Sequence, residues 1–358
     1  MKLCFAIGSL NYSGAENVMS SLLKKFQDCT HDVSVILLNE EDDRKMGKMA
    51  IYGCYAKEKS KLKRRIKMIK KIYAVMKKEK FDVVISFGFA TSTFVLPAAK
   101  LSKRKCIHCE RTNPQYDIRR TVDKMMQKAI LPMADGYVFQ TREIQKNFPV
   151  KTHKESVVIH NPVRKNIVVK PDYQNKKKII VTASRLDNRV KNHLILIKAF
   201  KNIVTKYPDY EVQIFGDGSD KDLYEKSILN EGLQGKVILC GKTDSTVDAI
   251  KDADIFVFTS NYEGMPNSLI EAMSVGLPCI TTDFHGGAAR ELIEDGVNGI
   301  IIPVGSQDRL EEELIKLISD LERKESLGLE AIKINKTHSM EIIFGEWMTF
   351  IEKLGRKK

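Results

Sequence analysis

The chain has 358 residues, of which 43% are hydrophobic and 29% are charged, and its formal net charge is +13. These values exclude a disordered chain, and the length favours two domains over a single core. No run of about 18 apolar residues occurs, so we expect no membrane-spanning helix. The N-terminus has a short apolar run without a small-residue cleavage site, which predicts a first strand rather than a secretory leader. We therefore expect a cytoplasmic protein that is at most peripheral on the inner face of the cell membrane.

Strands and helices alternate in the first half of the chain, which predicts an α/β fold with a parallel sheet. The predicted strands are Lys2–Ile7, Val33–Leu38, Val83–Ser86 and Ala134–Phe139. After the first strand comes a glycine-bounded loop, Gly8–Gly14. A capping-box pattern at Ser13 and Glu16, followed by apolar residues at every fourth position from Val18, predicts a helix after this loop.

Residues 57–80 carry most of the excess positive charge, with twelve Lys or Arg against two Glu. Apolar residues recur here every three or four positions, which predicts an amphipathic helix with these residues on its buried face. They are Leu62, Ile66, Ile69, Tyr73 and Met76. The charge has two readings, a solvated face or a reversible contact with an anionic membrane surface. Nucleic acid is not an expected partner, because no recognised motif and no interleaved aromatic residues accompany the charge.

A dense polar cluster follows a predicted strand within residues 106–120. We expect His108, Glu110, Arg111 and Asn113 to project into a cleft, because ligands of α/β sheets bind in loops at the carboxyl ends of strands. A solvated loop with an Arg–Glu pair is the alternative.

The seven cysteines are odd in number and irregularly spaced, which favours reduced, buried thiols. Cys106 and Cys109 have the spacing of half a zinc site, but no second close-spaced ligand pair accompanies them. We therefore expect structural thiols and no metal site.

The domain boundary is expected near residues 161–177, where the polar, charged stretch Lys170–Lys178 predicts a linker between two domains. A second α/β series follows it. The predicted strands are Ile179–Ala183, Glu211–Phe215, Val237–Leu239, Ile255–Thr259, Pro278–Thr282 and Gly299–Ile302. The predicted helices are His193–Lys206, Lys221–Asn230, Val247–Lys251, Asn267–Ser274, Ala289–Glu294, Asp308–Leu321, Arg323–Lys336 and Met340–Leu354.

Glycine spacing argues against a nicotinamide dehydrogenase. Five residues separate Gly8 from Gly14, and Gly216-Asp-Gly218 lacks the third glycine of G-x-G-x-x-G. A nucleoside-triphosphate P-loop is also absent from the sequence. Four candidate loops remain at the carboxyl ends of predicted strands. They are Gly8–Gly14, Ser184–Asn192, Phe215–Ser219 and Ser260–Glu271. The second loop offers two cations to a diphosphate, Arg185 and Lys191.

The stretch Ser260–Glu271 carries the most specific pattern. It follows a buried strand and opens a helix, and Pro266 suits the first turn of that helix. The free N–H groups of residues 267–269 form an anion site, which the helix dipole strengthens. Glu263 and Glu271 flank this site with seven residues between them. A nucleotide-sugar needs this combination, because its diphosphate accepts N–H donors and its hydroxyls donate to carboxylates.

These motifs, in this order, resemble those of the retaining glycosyltransferases of family 4. The resemblance spans nearly the whole chain and is most specific in residues 181–305, which also contain Asp295-Gly-Val-Asn-Gly299. It implies the GT-B fold, in which two Rossmann-like α/β/α domains place their parallel sheets face to face across a cleft. The acceptor domain would be residues 1–165, completed by the C-terminal helix 340–358, and the nucleotide-sugar donor domain would be residues 176–339.

The resemblance also implies roles for individual residues. Arg185 and Lys191 would hold the donor diphosphate. Glu263 would contact the transferred sugar, and Glu271 would bind the ribose. The catalytic candidates are Glu263, Arg185, Lys191, Glu110 and Arg111. The donor-binding candidates are Gly14, Ala15, Gly216, Gly218, Gly264, Met265, Pro266, Asn267, Ser268, Leu269 and Glu271. The acceptor-side candidates are His108 and Asn113. Many family members have a catalytic-site His where this chain has residues 110–114, so His108 competes with Glu110 and Arg111 for that role.

The reaction implied is transfer of a hexose or N-acetylhexosamine from a nucleotide-sugar, and a UDP-sugar is the expected donor. The acceptor would be a hydroxyl of a lipid-linked or polysaccharide glycan in bacterial cell-surface synthesis. We expect no cofactor and no metal requirement, because no Asp-x-Asp pair suits a metal. Within the same fold, a sugar phosphorylase or a nucleotide-sugar epimerase is the alternative. Outside the enzymes, the alternative is a non-catalytic subunit that binds carbohydrate or nucleotide.

Overall fold

The structure is a computed structural model that describes residues 1–10, 14–29, 31–40, 44–46, 48–112, 121–148, 154–164 and 171–356. The chain divides into two compact units, one of Met1–Asn161 with Met340–Lys358 and the other of Pro162–Ser339. The predicted linker is therefore part of the second unit. Tyr173 explains why, since its ring is buried and its hydroxyl donates to the carbonyl of Gly276 at 2.8 Å.

The first unit alternates strands and helices, as the sequence predicts. Its strands are β1 (Lys2–Ile7), β2 (Asp32–Leu37), β3 (Arg44–Met46), β4 (Met49–Gly53), β5 (Val83–Phe87), β6 (Lys105–Glu110), β7 (Gly136–Phe139) and β8 (Glu155–Val158). Its helices are α1 (Gly14–Asp28), α2 (Lys61–Glu79), α3 (Phe89–Ser102), α4 (Thr121–Ile130), α5 (Arg142–Lys146) and, at the C-terminal end, α15 (Met340–Arg356).

The sheet of the first unit has the strand order β3-β4-β2-β1-β5-β6-β7-β8. Only β3 runs antiparallel, at one edge, where it pairs with β4. The order reverses between β1 and β5, which pair in parallel. In open α/β sheets such a reversal opens a crevice at the carboxyl ends of the two strands. In this unit the polar ends of β5 and β6 therefore lie beside a position suited to binding.

The core of the first unit confirms the predicted buried face of α1. Val18, Leu22 and Phe26 are each at most 1% exposed. α15 closes the same core, where Trp347 stacks on Phe87 with their ring centroids 6.1 Å apart. α3 was not predicted from the sequence, because nine of its 14 residues are buried and no amphipathic periodicity marks it.

The predicted buried face of α2 is wrong in its first half. The helix buries Met68, Ile72 and Met76, whereas Leu62 is 67% exposed and Ile66 is 47% exposed. The apolar positions of α2 form two overlapping rows, and α2 packs on α3 through the second row. The first turns of α2 therefore present apolar side chains to solvent among basic ones.

The second unit repeats the α/β pattern. Its strands are β9 (Lys177–Ala183), β10 (Glu211–Phe215), β11 (Val237–Gly241), β12 (Ala253–Phe258), β13 (Cys279–Thr282) and β14 (Ile300–Ile302). Its helices are α6 (Asn188–Lys191), α7 (Leu194–Lys206), α8 (Lys221–Asn230), α9 (Thr246–Ile250), α10 (Asn267–Ser274), α11 (Ala288–Leu292), α12 (Gln307–Ser319), α13 (Leu321–Ala331) and α14 (Ile334–Thr337). The helix predicted at Arg323–Lys336 is thus two helices.

All strands of the second sheet are parallel, in the order β11-β10-β9-β12-β13-β14. This is the doubly wound order of a dinucleotide-binding sheet, and its switch point lies between β9 and β12. The loops that follow these two strands carry the predicted phosphate clamp and the predicted carboxylates, so the topology brings them to one place.

Two further predictions concern the membrane and the thiols. Among the helices in the described ranges, none combines the length and the apolar character needed to cross a membrane. All seven cysteines are free thiols, and five of them are buried, as predicted. Cys29 is exposed and Cys240 is half-buried, so the expectation of burial is wrong for these two.

Candidate active site

The loops after β9 and β12 are hydrogen-bonded to each other at the switch point of the second sheet. The amide of Asn261 donates to the carbonyl of Val190 at 2.8 Å. The hydroxyl of Thr259 donates to the carbonyl of Lys191 at 2.7 Å. These bonds fix the short helix α6 against the end of β12, so the side chain of Lys191 is held over the loop that contains Glu263.

Lys191 and Glu263 form an ion pair, and both side chains are mostly buried, at 12% and 14% exposed. The Ser260 hydroxyl donates to the same Glu263 oxygen at 2.8 Å. The Lys191 ammonium also lies 5.3 Å from the ring centroid of Phe258. The structure therefore brings together the predicted sugar-binding carboxylate and one of the two predicted phosphate-binding cations.

A loop after β13 supports Glu263 from its other side. The amide of Glu263 donates to the carbonyl of His285 at 3.0 Å. Gly286 has a φ of +125°, and a Cβ there would lie 2.0 Å from the Glu263 carbonyl oxygen. Only glycine permits this approach. Gly286 is not among the residues predicted from the sequence, although the paired glycines at 286 and 287 are a signal of a tight backbone contact.

Helix α10 begins at Asn267, with Pro266 at its N-cap rather than in its first turn as predicted. No side chain caps this end, so the first backbone N–H groups remain directed out of the helix. Leu269 is completely buried and Met265 is 6% exposed, and both belong to the core. At Leu269 only the backbone is therefore available to a bound nucleotide-sugar, while Gly264 and Ser268 are half-buried.

Glu271 lies inside α10 and is paired with a residue that the sequence analysis did not single out. Arg164 Nε donates to Glu271 Oε1 at 2.6 Å. The Glu271 carboxylate is 4% exposed, and its second oxygen, Oε2, is buried without a hydrogen-bond partner. A carboxylate oxygen in this state favours a hydroxyl donor. The contact joins positions 107 residues apart, so no local pattern in the sequence indicates it.

Gly216 and Gly218 hold the Ser184–Asn192 loop in place. A Cβ at Gly216 would lie 1.9 Å from the Ser184 carbonyl oxygen, and one at Gly218 would lie 2.3 Å from that of Leu186. Backbone bonds join the two loops directly, since the amide of Leu186 donates to Asp217 O at 3.0 Å. These contacts give the two glycines a positioning role, while their predicted contact with the donor stays a prediction.

The remaining predicted cation, Arg185, is exposed on this loop. Behind it, the hydroxyl of Ser184 and Nε2 of His193 are hydrogen-bonded at 2.9 Å. His193 is 1% exposed, and burial lowers its pKa to about 3, so the ring is neutral. A neutral His193 thus stabilises the base of the loop that carries both cations.

In the first unit, the predicted polar cluster is located at the end of β6. The carboxylate of Glu110 accepts bonds from its own loop, at 3.1 Å from the Arg111 amide and at 3.1 Å from the Thr112 hydroxyl. His108 lies within β6 and is completely buried, so the expectation that it projects into a cleft is wrong. Its Nδ1 is 2.7 Å from Ser92 Oγ and its Nε2 is 3.4 Å from Glu110 Oε2. His108 therefore positions Glu110 in this conformation.

The structure places few of the other predicted residues of the first unit. Gly14 and Ala15 form the start of α1, whose first side chains are not described. Asn113 and Ser13 lie outside the described residues. Their predicted contacts with substrates stay predictions.

Two family models match the chain. The model described as Glycosyltransferase Family 4 matches residues 12–166, and the model described as Glycosyl transferases group 1 matches residues 163–334. The chain belongs to the family 4 type of glycosyltransferase. The predicted resemblance to the glycosyltransferases of family 4 is thereby confirmed.

Curated relatives of the glycosyltransferase include two bacterial enzymes. It is 30% identical to a poly(glycerol-phosphate) alpha-glucosyltransferase of Bacillus subtilis, over 60% of this chain but only 32% of that protein. It is 26% identical to an N-acetylgalactosaminyltransferase of Campylobacter jejuni, over 89% of this chain and 90% of that protein. The name of the Campylobacter enzyme specifies a diphospho-undecaprenol-linked acceptor.

A solved structure settles the fold. The glycosyltransferase superposes on Anabaena HepE, determined in complex with UDP, with a TM-score of 0.82 over 99% of this chain and 100% of that one, at 17% identity. The predicted two-domain Rossmann-like GT-B fold is therefore confirmed.

Proposed function

We propose that this glycosyltransferase moves a hexose or N-acetylhexosamine from a UDP-sugar to a hydroxyl of a lipid-linked or polymeric glycan in bacterial cell-surface synthesis. The observation that carries the proposal is the pairing of Lys191 with Glu263 beside the uncapped start of α10. This arrangement sets a cation, a carboxylate and backbone N–H donors around one position at the switch point. The named activities of the relatives and the UDP complex of HepE support the donor and the acceptor class.

Transfer would retain the anomeric configuration. The acceptor oxygen forms its bond to the sugar C1 on the face from which the diphosphate leaves, and the bond from C1 to the phosphate oxygen breaks. The acceptor hydroxyl proton passes to the departing phosphate oxygen. Lys191, Arg185 and the N-terminus of α10 stabilise the charge that develops on the diphosphate. Glu263 accepts a hydrogen bond from a hydroxyl of the sugar, and Glu271 Oε2 accepts one from a ribose hydroxyl.

Metal independence is part of the proposal, because Lys191 and Arg185 would neutralise the leaving diphosphate themselves. Turnover in the presence of EDTA should equal turnover in added Mg²⁺ or Mn²⁺. Loss of turnover in EDTA that returns with metal would overturn this part.

The test of the reaction starts with the donor. In thermal-shift measurements, UDP should raise the Tm of the protein more than GDP or ADP does, since a ligand that binds the folded state stabilises it by mass action. Transfer from UDP-glucose, UDP-galactose and their N-acetyl-amino forms is then measured with bacterial lipid extracts, and NMR assigns the anomer. An inverted product excludes retention. Sugar release that requires inorganic phosphate would indicate a phosphorylase, interconversion of the free UDP-sugars an epimerase, and UDP binding without turnover a binding subunit.

We also propose that α2 contacts an anionic membrane surface during transfer to lipid-linked acceptors. The exposed Leu62 and Ile66 lie among Lys and Arg on this helix, and such a face matches a surface with negative headgroups. The protein should sediment with phosphatidylglycerol vesicles at low salt and be released by high salt. Replacing Lys61, Lys63 and Lys70 by Gln should abolish sedimentation, whereas replacing Lys198, Lys201 and Lys206 of the second unit should not. Equal sedimentation of both variants would show that α2 is only a solvated face.

A further inference from the structure

A cavity of about 530 Å³ lies in the first unit at the carboxyl ends of β5 and β6. Its volume is in the range of small-ligand sites. Its lining is Arg65, Gly88, Phe89, Ala90, Thr93, Phe94, Glu110, Arg111, Thr112 and Met126. Two features are unusual together, namely three large apolar side chains and two guanidinium groups in one small space.

Arg111 is the first sign that an anion belongs in this cavity. Its guanidinium donates to Asn161 Oδ1 at 3.0 Å and lies 5.5 Å from the ring centroid of Phe87, and both are neutral groups. Among the described residues no carboxylate forms an ion pair with it, and its Nε is buried without a hydrogen-bond partner. Burial lowers the pKa of Arg111 to about 10. The Arg111 residue is half-buried, and an anion in the adjacent cavity would supply the counter-charge that the described carboxylates do not provide.

The neighbouring carboxylate does not serve as the counter-charge. Glu110 Oε1 already accepts the Arg111 amide at 3.1 Å and the Thr112 hydroxyl at 3.1 Å. Its other oxygen is 3.4 Å from His108 Nε2. The carboxylate is thus directed to the backbone of its own loop and to β6.

Arg65 supplies the second cation from α2. Its Nη2 donates to the carbonyl of Thr93 at 2.9 Å, and its guanidinium lies 4.9 Å from the ring centroid of Phe94. These contacts hold the group at the cavity wall and lower its pKa through burial. The remaining N–H groups of Arg65 are left for another acceptor.

The start of α3 adds a third electropositive element. Gly88 is its N-cap, no side chain caps it, and residues 88–90 line the cavity. The helix has 14 residues, so its N-terminus carries a substantial partial positive charge.

We propose that this cavity binds a phosphate group of a lipid-linked acceptor, with Arg65 and Arg111 on the phosphate and Phe89, Phe94 and Met126 on the adjoining hydrocarbon. The inference rests on the proposed function and names the chemistry of its acceptor, a polyprenyl-type phosphate or diphosphate. A lipid source is favoured over a polyol-phosphate polymer because the other half of the lining is apolar. Arg65 is also on the same helix as the exposed Leu62 and Ile66, so one helix carries both a residue of the cavity lining and the apolar residues that would meet a bilayer.

Calorimetry on the full chain tests the inference with three small probes, farnesyl diphosphate, farnesol and inorganic pyrophosphate. Farnesyl diphosphate should bind most tightly, because it alone occupies both halves of the cavity. Arg65→Gln should weaken its binding about tenfold, the effect of losing one charge-assisted hydrogen bond, and Arg65→Lys should weaken it less. Arg104→Gln is the matched control, since Arg104 also donates to a backbone carbonyl, that of Ser102, at 3.2 Å but does not line this cavity.

The outcomes separate the possibilities. Equal affinity of the wild type, Arg65→Gln and Arg104→Gln for farnesyl diphosphate would overturn the site. Equal affinity for farnesol and farnesyl diphosphate would overturn the phosphate contact. Pyrophosphate binding as tightly as farnesyl diphosphate would overturn the lipid assignment in favour of a polyol-phosphate chain. UDP binding, measured by thermal shift, should be unchanged in Arg65→Gln. If the wild-type protein itself does not bind UDP, that result would count against the proposed transferase, whatever the cavity binds.

Discussion

Lys191 and Glu263 are an ion pair although 72 residues separate them in the chain. The pair exists because β9 and β12 are neighbours at the switch point of the second sheet, and each side chain follows one of these strands. In the absence of a nucleotide-sugar, each side chain neutralises the charge of the other. A diphosphate and a sugar hydroxyl would compete for the two groups, so the pair is both a preformed site and a contact that a donor has to rearrange.

Replacing Lys191 by Ala should lower kcat by about 10²- to 10³-fold, the typical loss when one donor that stabilises transition-state charge is removed. Glu263→Gln should lower kcat by a similar factor while UDP affinity stays near that of the wild type, because Glu263 would contact the sugar rather than the nucleotide. Steady-state kinetics and UDP calorimetry separate the two effects. Lys201→Ala is the control, since that Lys pairs with Glu231 at the surface at 2.8 Å. An active Lys191→Ala enzyme would remove the phosphate-clamp assignment.

Arg164 should control the affinity for the nucleotide through Glu271. Arg164→Gln removes the cation that fixes Glu271 Oε1 and leaves a carboxylate that is 4% exposed. We expect UDP affinity to fall about tenfold or more, as for the loss of a hydrogen bond to a charged group, with a higher KM for the donor and a smaller change in kcat. The matched variant Arg356→Gln breaks an exposed Arg–Glu pair with Glu352 and should change neither value. Unchanged UDP affinity in Arg164→Gln would show that Glu271 is positioned without it.

The sequence predicted the six strands of the second sheet, the order of the motifs and the helix between Glu263 and the end of α10 well, because these depend on local patterns of burial and chain reversal. For β3, β4, β6 and β8 of the first sheet it predicted no bounds. Lys2–Ile7, Glu211–Phe215 and Asn267–Ser274 match the structure residue for residue. The pairing of Arg164 with Glu271 escaped prediction, because it joins positions far apart in the chain. The buried state of His108 escaped for a related reason, since a short strand between polar residues reads as a loop when its neighbours in the sheet are unknown.

Helix faces were predictable only where a single apolar row exists. In α1 one row is present and the predicted face is the buried one. In α2 two rows overlap, and the row that packs depends on where α3 lies. Because nine of the 14 residues of α3 are buried and no periodic signal marks this helix, its position could not be predicted from the sequence.

Gly218 should be replaceable only at a cost in stability. A Cβ there would lie 2.3 Å from the Leu186 carbonyl oxygen, so Gly218→Ala has to displace the loop that carries Arg185 and Lys191. We expect a loss of about 1–3 kcal/mol from this overpacking, together with weaker UDP binding. Gly345→Ala is the control, because no heavy atom other than those of its chain neighbours and its own helix backbone lies within 4 Å of its added Cβ in α15, and it should be neutral or stabilising. Urea unfolding measures both. Equal stability of the two variants would contradict the steric argument.

A buried ion pair fastens α13 to the second sheet. Lys324 Nζ lies 3.0 and 2.8 Å from the two oxygens of Asp254, and the Tyr210 hydroxyl also donates to this carboxylate. The two charged side chains are 8% and 4% exposed. Lys324→Met leaves the carboxylate buried without its cation, so the free energy of unfolding should fall by about 3–5 kcal/mol. Lys333→Met, which breaks an exposed pair with Glu330, should cost about 1 kcal/mol or less. A small loss in Lys324→Met would mean that Asp254 becomes solvated.

Protonation of His193 should destabilise the second unit in mild acid. Burial lowers the pKa of His193 from its usual 6.5 to about 3 in the folded protein, with the charge of Lys191 as a smaller cause. Between pH 6.5 and pH 3 His193 is therefore protonated in the unfolded chain but not in the folded chain. In this range each unit by which the pH falls lowers the free energy of unfolding by about 1.4 kcal/mol. Above pH 6.5 His193 has no effect, because both states are neutral.

His193→Gln removes the titration but also the packed ring, so it should be less stable than the wild type at pH 7.5 and approach it as the pH falls towards 4.5. Urea unfolding at a series of pH values measures the difference, and a constant gap between His193→Gln and the wild type would mean that His193 titrates alike in both states.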